Sequence, residues 1–211
     1  MVDYKFRWNI MMKFFVFLYC LFNFLGCVKE PNFTPPVSRP SSIKFKKMGG
    51  DFKLRVYKNK KERYWALSES KGKVRILYFG FTFCPDICPV SLTKLTKLLK
   101  NFSEENQLLI QPVFISVDYQ RDNAQKVDRY SKYYSSKMIG LSGSKEEIEK
   151  VAKQYGAYFK ISKQADSALK FTVDHTSRYF LVDKKGELFN SYSTTDASFV
   201  SDLKKLIRMD K

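Results

Sequence analysis

The sequence predicts one α/β domain, a central mixed sheet flanked by helices, behind an N-terminal signal or anchor segment. Three observations predict it. The apolar runs 74–79 and 108–117 read as strands buried on both faces. Each is followed by a stretch whose apolar residues recur at helical spacing. The late run 177–182 is joined instead to 188–192 by a short turn, so the sheet closes in an antiparallel hairpin. A chain of 211 residues suits one such domain with a tail. With 44% hydrophobic and 28% charged residues it is globular rather than disordered.

Residues 1–27 read as a signal peptide or membrane anchor. Lys5, Arg7 and Lys13 precede an apolar run that closes on Leu25, Gly26 and Cys27. A charged lead, a short apolar core and small residues at the end fit a secretory signal. The apolar part falls short of the about 20 residues that a spanning helix needs. Leu25-Gly26-Cys27 resembles a bacterial lipoprotein cleavage box with Cys27 as the lipidated residue; an uncleaved anchor helix is the alternative. Either places the domain on the extracytoplasmic, periplasmic face, tethered to a membrane. Met11 and Met12 are alternative starts to Met1, because the lead before them is long and poorly basic. Residues 28–47 contain Pro31, Pro35, Pro36 and Pro40 beside Ser38, Ser41 and Ser42, and read as an extended spacer. The folded domain takes residues 48–211.

Within it, residues 52–57 alternate with period two and start a hairpin-like segment. The buried strand 74–79 leads through Cys84 and Cys88 into a helix over about 88–102, with Leu92, Leu95, Leu98 and Leu99 on one face. The strand 108–117 ends in a polar loop holding Asp118, Arg121 and Asp122. A helix over 123–136 carries Val127, Tyr130 and Tyr134, and a short strand occupies 138–141. Ser144 and Glu147 form a capping box for a helix over 145–155, and Gly156 stops it. Residues 157–161 and 171–173 are short extended pieces around a polar loop. A last helix, 199–209, is capped by Asp196 or Ser198 and turns Phe199, Leu203 and Leu206 inward. This order of elements is thioredoxin-like. In open α/β sheets, sites form at the C-terminal ends of strands, which places the Cys84 loop and the Asp118 loop at one edge.

The net charge is +17. The lysines are scattered and accompany no recognisable nucleic-acid module, so no nucleic-acid partner is expected. The basic surface favours membrane lipids or acidic partners.

Four cysteines occur. Cys20 lies inside the signal and Cys27 is the lipidation candidate, which leaves Cys84 and Cys88 to the folded domain. Spaced i, i+4, they would share one face of a helix a turn apart. Such a pair is a disulfide, a redox couple or a soft-metal site. Pro85 suits a first helical turn, whose positive end stabilises a thiolate. His175 is the one histidine of the chain. Two thiolates and an imidazole suit copper, whereas a structural zinc site wants a fourth ligand. Three ligands leave an open site, suited to handing an ion to a partner. Asp86 and Asp174, next to these residues in the chain, are candidates to orient or tune them. Asp118, Arg121 and Asp122 are expected to brace their loop by ion pairing.

The segment Gly80-Phe-Thr-Phe-Cys84-Pro-Asp-Ile-Cys88-Pro89 resembles the signature of the SCO/SenC family of copper-binding assembly proteins. Residues 116–122, 141–147 and the run Val173-Asp174-His175-Thr176 follow in that family's order. The resemblance covers about residues 48–208. It implies a thioredoxin-like fold and copper, as Cu(I), Cu(II) or both, bound by Cys84, Cys88 and His175. It also implies delivery of that copper to the CuA centre of cytochrome c oxidase, an upstream copper donor, and an N-terminal membrane anchor. The protein would be a chaperone rather than an enzyme. The alternative is an extracytoplasmic thiol–disulfide oxidoreductase acting on partner cysteines, with Cys84 and Cys88 as its redox pair. Phe83, Tyr119 and the Ser177-Arg178 pair depart from the family pattern, and none of them is a ligand.

Overall fold

The structure of the chain, a computed structural model, describes residues 48–163 and 171–209. The expected signal or anchor segment with Cys27, the spacer, and residues 164–170 of the polar loop lie outside them.

In chain order the elements are β1 (Lys53–Lys58), β2 (Lys61–Ala66), β3 (Val74–Gly80), α1 (Ile87–Lys100), α2 (Glu104–Leu108), β4 (Ile110–Ser116), α3 (Ala124–Tyr134) and β5 (Ile139–Leu141). They continue with α4 (Lys145–Tyr155), β6 (Phe159–Lys163), β7 (Phe171–His175), β8 (Arg178–Val182), β9 (Leu188–Ser193) and α5 (Ser198–Arg208). The central sheet has the order β5-β4-β3-β8-β9. β3 pairs in parallel with β4, and β4 with β5, while β8 and β9 run antiparallel. This is the mixed, thioredoxin-like sheet that the sequence predicts.

All seven residues of β3 and of β4 are buried, because both faces of these strands are covered. β1 and β2 form a hairpin in which Asn59 and Lys60 both take positive φ, 53° and 59°. A two-residue turn of that hand matches the twist of its strands. The capping box is present: Ser144 Oγ accepts the Glu147 N–H and Glu147 Oε2 accepts the Ser144 N–H. Gly156 ends α4 in the left-handed region, at φ 70°.

Three features differ from expectation. The strand expected from residue 108 begins at Ile110, because Glu104–Leu108 coil into a short helix capped by Ser103. The extended pieces around the polar loop pair with each other as β6 and β7, and make a two-stranded sheet of their own. Arg75, within the apolar run, is buried. Its guanidinium donates to Ser70 Oγ (2.9 Å), Asp183 O (2.6 Å) and Leu67 O (3.3 Å), tying two turns to β3. Among the described residues no helix is long and apolar enough to cross a membrane.

Candidate metal centre

β3 ends at Gly80, the chain turns, and α1 begins at Ile87. Cys84 therefore lies in the loop and only Cys88 is helical, so the pair does not share a helix face as the spacing predicts. The loop instead folds Cys84 over the helix N-terminus, where its sulfur accepts the Cys88 N–H at 3.3 Å. Pro85 precedes the helix rather than entering its first turn.

His175 is the last residue of β7, in register with Phe159. Its Nε2 lies 3.3 Å from Cys88 Sγ. The ligand atoms of Cys84, Cys88 and His175 all lie within 4.8 Å of one another, the one such group among the described residues. Cys88 is fully buried, Cys84 is 8% exposed and His175 is half-buried. Neither cysteine is in a disulfide.

Aromatic walls hold the imidazole. Tyr78 and Phe81 meet it edge-on, with ring centroids at 6.1 and 5.7 Å. Its buried Nδ1 has no hydrogen-bond partner, so among the described residues Nε2 is the nitrogen turned to the sulfurs. Gly80 makes room for Cys88. A Cβ there would lie 2.8 Å from Cys88 Sγ, 2.9 Å from Phe114 Cε2 and 3.1 Å from Tyr78 Cε1.

Asp86 and Asp174 are not in the cluster, and both are exposed. Asp86 contributes its backbone N–H toward Cys84 rather than its carboxylate. Asp174 precedes His175 on β7, and successive side chains of a strand point to opposite faces. The acid that does reach the cysteine loop is Asp122, on the loop after β4. It accepts from the Thr82 N–H (2.8 Å), the Thr82 hydroxyl (2.6 Å) and the Ser116 hydroxyl (2.6 Å), and pairs with Lys126 at 3.2 Å. Asp118 pairs with Arg121 beside it. Phe83 stays 43% exposed under two cations, with Lys126 Nζ 3.5 Å and the Arg121 guanidinium 5.0 Å from its ring centroid. Tyr119 meets the Phe159 ring at 6.5 Å, and the Arg178 guanidinium bonds to Ser191.

The two thiols are driven apart in acidity. A hydrogen bond from Cys88, joined by His175 and by backbone N–H groups, pulls the Cys84 thiol far below its ordinary value despite burial. The same bond to Cys84 and burial push Cys88 up. The pair thus keeps one proton, with the thiolate on Cys84 at the helix N-terminus. The assembly presents one thiolate, one thiol and an imidazole, a soft donor set of low coordination number.

Gly80 and Phe81 stand in the signature segment with no role legible for either, and the sequence shows neither the place of Tyr78 nor the Thr82–Asp122 bond. A glycine closing a strand that is apolar but for Arg75 is the one signal that points to this close approach.

The SCO1/SenC family model matches residues 41–208. The chain belongs to the SCO1/SenC family. "Protein SCO1 homolog 1, mitochondrial" of Arabidopsis thaliana is 43% identical over 121 residues, covering 57% of this chain and 36% of that protein. The "SCO2-like protein" of Rickettsia felis is 34% identical and covers 69% of each. Against the longer plant protein, this chain spans little more than a third of the length. The crystal structure of A. thaliana ScoI, solved with copper bound, is 37% identical with a TM-score of 0.67, covering 76% of this chain and 98% of that one. The SCO1/SenC fold thus accounts for the described domain.

Proposed function

We propose that this SCO1/SenC protein binds copper through Cys84, Cys88 and His175 and delivers it to the CuA centre of cytochrome c oxidase during assembly. The observation that carries the reading is the convergence of two sulfurs and one imidazole nitrogen within 4.8 Å, from a loop, a helix and a separate hairpin. The donor set fits copper, since thiolates select Cu(I) and imidazole suits both oxidation states. The ScoI homologue with copper bound supports the same choice. Copper is cargo here. Cys84, the more exposed of the two cysteines, meets the acceptor first, while the fully buried Cys88 holds the ion from below. An upstream donor loads the site. Residues 1–27 tether the domain to the outer face of a membrane, through lipid on Cys27 or an uncleaved helix, with residues 28–47 as spacer.

Anaerobic titration with Cu(I) tests the site. One copper per chain is expected, with affinity lowered in His175→Ala; no stoichiometric binding, or unchanged affinity in that variant, refutes it. Delivery is tested by oxidase activity and membrane copper in a strain carrying Cys88→Ser. Rescue by added copper is expected.

The split acidity of Cys84 and Cys88 favours a second reading, thiol–disulfide exchange with partner cysteines. It requires exchange activity and biological function to survive His175→Ala.

A further inference from the structure

A cavity of about 370 Å³ opens between the last turns of α1 and α3 and the start of β4. Sites for small ligands occupy about 300–1,000 Å³. Leu99, Ile110 and Pro112 give it an apolar wall. Lys100, Lys132 and Lys137 also line it, and no aspartate or glutamate does. Among the described residues none of these lysines is in an ion pair. Asp128, one turn before Lys132 on α3, lines a different cavity with Tyr57 and Trp65. Lys132 spends two of its three donors on the Ser136 and Met138 carbonyls, both at 2.8 Å. Those bonds answer carbonyls just past the C-terminus of α3, where an anion would otherwise be repelled. Lys137 donates to Gln107 Oε1 at 3.1 Å. Each ammonium group keeps at least one donor for a ligand.

Two exposed apolar side chains belong to the same segments. Tyr133, 84% exposed, lines the cavity. Leu108, 63% exposed, stands between Gln107 and Ile110, which both line it. A tyrosine so placed suits a membrane interface, where the ring meets apolar matter and the hydroxyl stays wet. The cavity also lies at one end of the sheet. Val74 is in register with Ile110 and Gly80 with Ser116, so the cysteine loop leaves the opposite end, about 20 Å away by the rise of a strand. The chain enters the domain at the cavity's end. There the Gly50 N–H donates to Gly186 O, in the turn between β8 and β9, and the Asp183 carbonyl of that turn accepts from Arg75 near the start of β3.

We propose that this cavity binds the headgroup of an anionic phospholipid, with the phosphate among Lys100, Lys132 and Lys137 and the glycerol and first acyl carbons along Leu99, Ile110 and Pro112. Three ammonium groups with no carboxylate among them favour a headgroup of net negative charge. They repel the cation that a zwitterionic headgroup carries. A soluble phosphate ester offers the same charge but leaves the apolar wall, Leu108 and Tyr133 in water, so the lipid is the better fit. Lipid held at this end turns the cysteine loop away from the bilayer, open to a partner protein. The site uses no residue of the metal centre and stands apart from the copper reading. The tether reading supplies only a bilayer within reach.

The test acetylates lysines of the full chain with an N-hydroxysuccinimide ester and reads each position by mass spectrometry. The chain is held in neutral-detergent micelles doped with phosphatidylglycerol or with phosphatidylcholine, or in undoped micelles with glycerol phosphate. Phosphatidylglycerol should slow acetylation of Lys100, Lys132 and Lys137 several-fold, and phosphatidylcholine should not. Lys53 and Lys150, exposed beside another cavity, should change little. In Lys100→Glu/Lys137→Glu, two exposed changes, the protection of Lys132 should vanish, while circular dichroism and copper stoichiometry stay as in the wild type. No protection at the three lysines overturns the proposal. So does equal protection of Lys53 and Lys150, which means diffuse charge attraction, or equal protection by glycerol phosphate, which means a soluble ester. Protection of Lys132 that survives in the variant overturns it too. Failure of the tether reading is read separately, as a chain that does not co-elute with the micelles.

Discussion

Asp122 grips Thr82 twice, through the backbone N–H at 2.8 Å and the hydroxyl at 2.6 Å. Thr82 lies two residues before Cys84, so a carboxylate from the loop after β4 sets where the cysteine loop begins. Asp122→Ala strands three donors and Lys126 at a buried site. We expect a loss of about 3 kcal/mol, by the cost of breaking a buried charged pair, measured by urea denaturation. We also expect faster alkylation of Cys84. A variant with wild-type stability and wild-type alkylation would show that the latch is idle.

Gly80→Ala places a methyl group 2.8 Å from Cys88 Sγ. Overpacking of this kind costs about 1–3 kcal/mol. The shifted sulfur should lower Cu(I) affinity by about 10–100-fold, the range seen when the surroundings of a ligand are disturbed. Competition against a chelator of known affinity measures it, and unchanged affinity would contradict the crowding.

The Cys84 thiol is pulled from 9.0 to about 4. Alkylation of Cys84 by iodoacetamide should therefore stay nearly constant between about pH 5 and 8, where an ordinary thiol slows tenfold per unit. A folded value below the unfolded one means that the thiolate stabilises the fold fully above about pH 9. That contribution fades as the pH falls toward 4. Cys88, shifted the other way, contributes below about pH 9 and loses its contribution above. Between these limits stability should drop with acid by no more than about 1.4 kcal/mol per pH unit from this group. Cys84→Ser should lack that component when unfolding is compared at pH 5 and pH 8.

Arg75→Ala removes three guanidinium hydrogen bonds and a buried side chain from a strand with no exposed residue, although the Leu67 carbonyl keeps the Ser70 hydroxyl and the Asp183 carbonyl keeps the Gly186 N–H. A loss of about 3 kcal/mol is expected from thermal or urea unfolding, about 1 kcal/mol for each bond removed. Copper stoichiometry of the folded fraction should not change, because Arg75 sits at the other end of β3 from Gly80.

β3 and β4 are legible in the sequence because burial on both faces demands apolar residues at nearly every position. Ser144, Glu147 and Gly156 are legible because capping chemistry is local. Arg75 is not, since its partners come from turns brought together only by the fold. The same holds for Gly80, whose neighbour Cys88 returns to it through the turn and α1. Asp86 and Asp174 stood out by adjacency in the chain. The loop around Asp86 and the alternation of β7 carry their carboxylates to the surface instead. Cys84, Cys88 and His175 could be read as a set from residue chemistry and counting; that they meet depends on β7 pairing with β6.

The β6–β7 hairpin hydrogen-bonds as a sheet of its own, yet it delivers His175 to sulfurs held by β3 and α1. Two-stranded hairpins are marginal by themselves. An ion gripped by all three side chains would act as a clasp between two separately hydrogen-bonded parts of the chain. Whatever free energy the clasp gains from His175 must reappear as resistance of the hairpin to local opening. Copper loading should therefore slow amide exchange most in β6 and β7, and Cys84→Ser/Cys88→Ser should abolish that protection without touching the histidine.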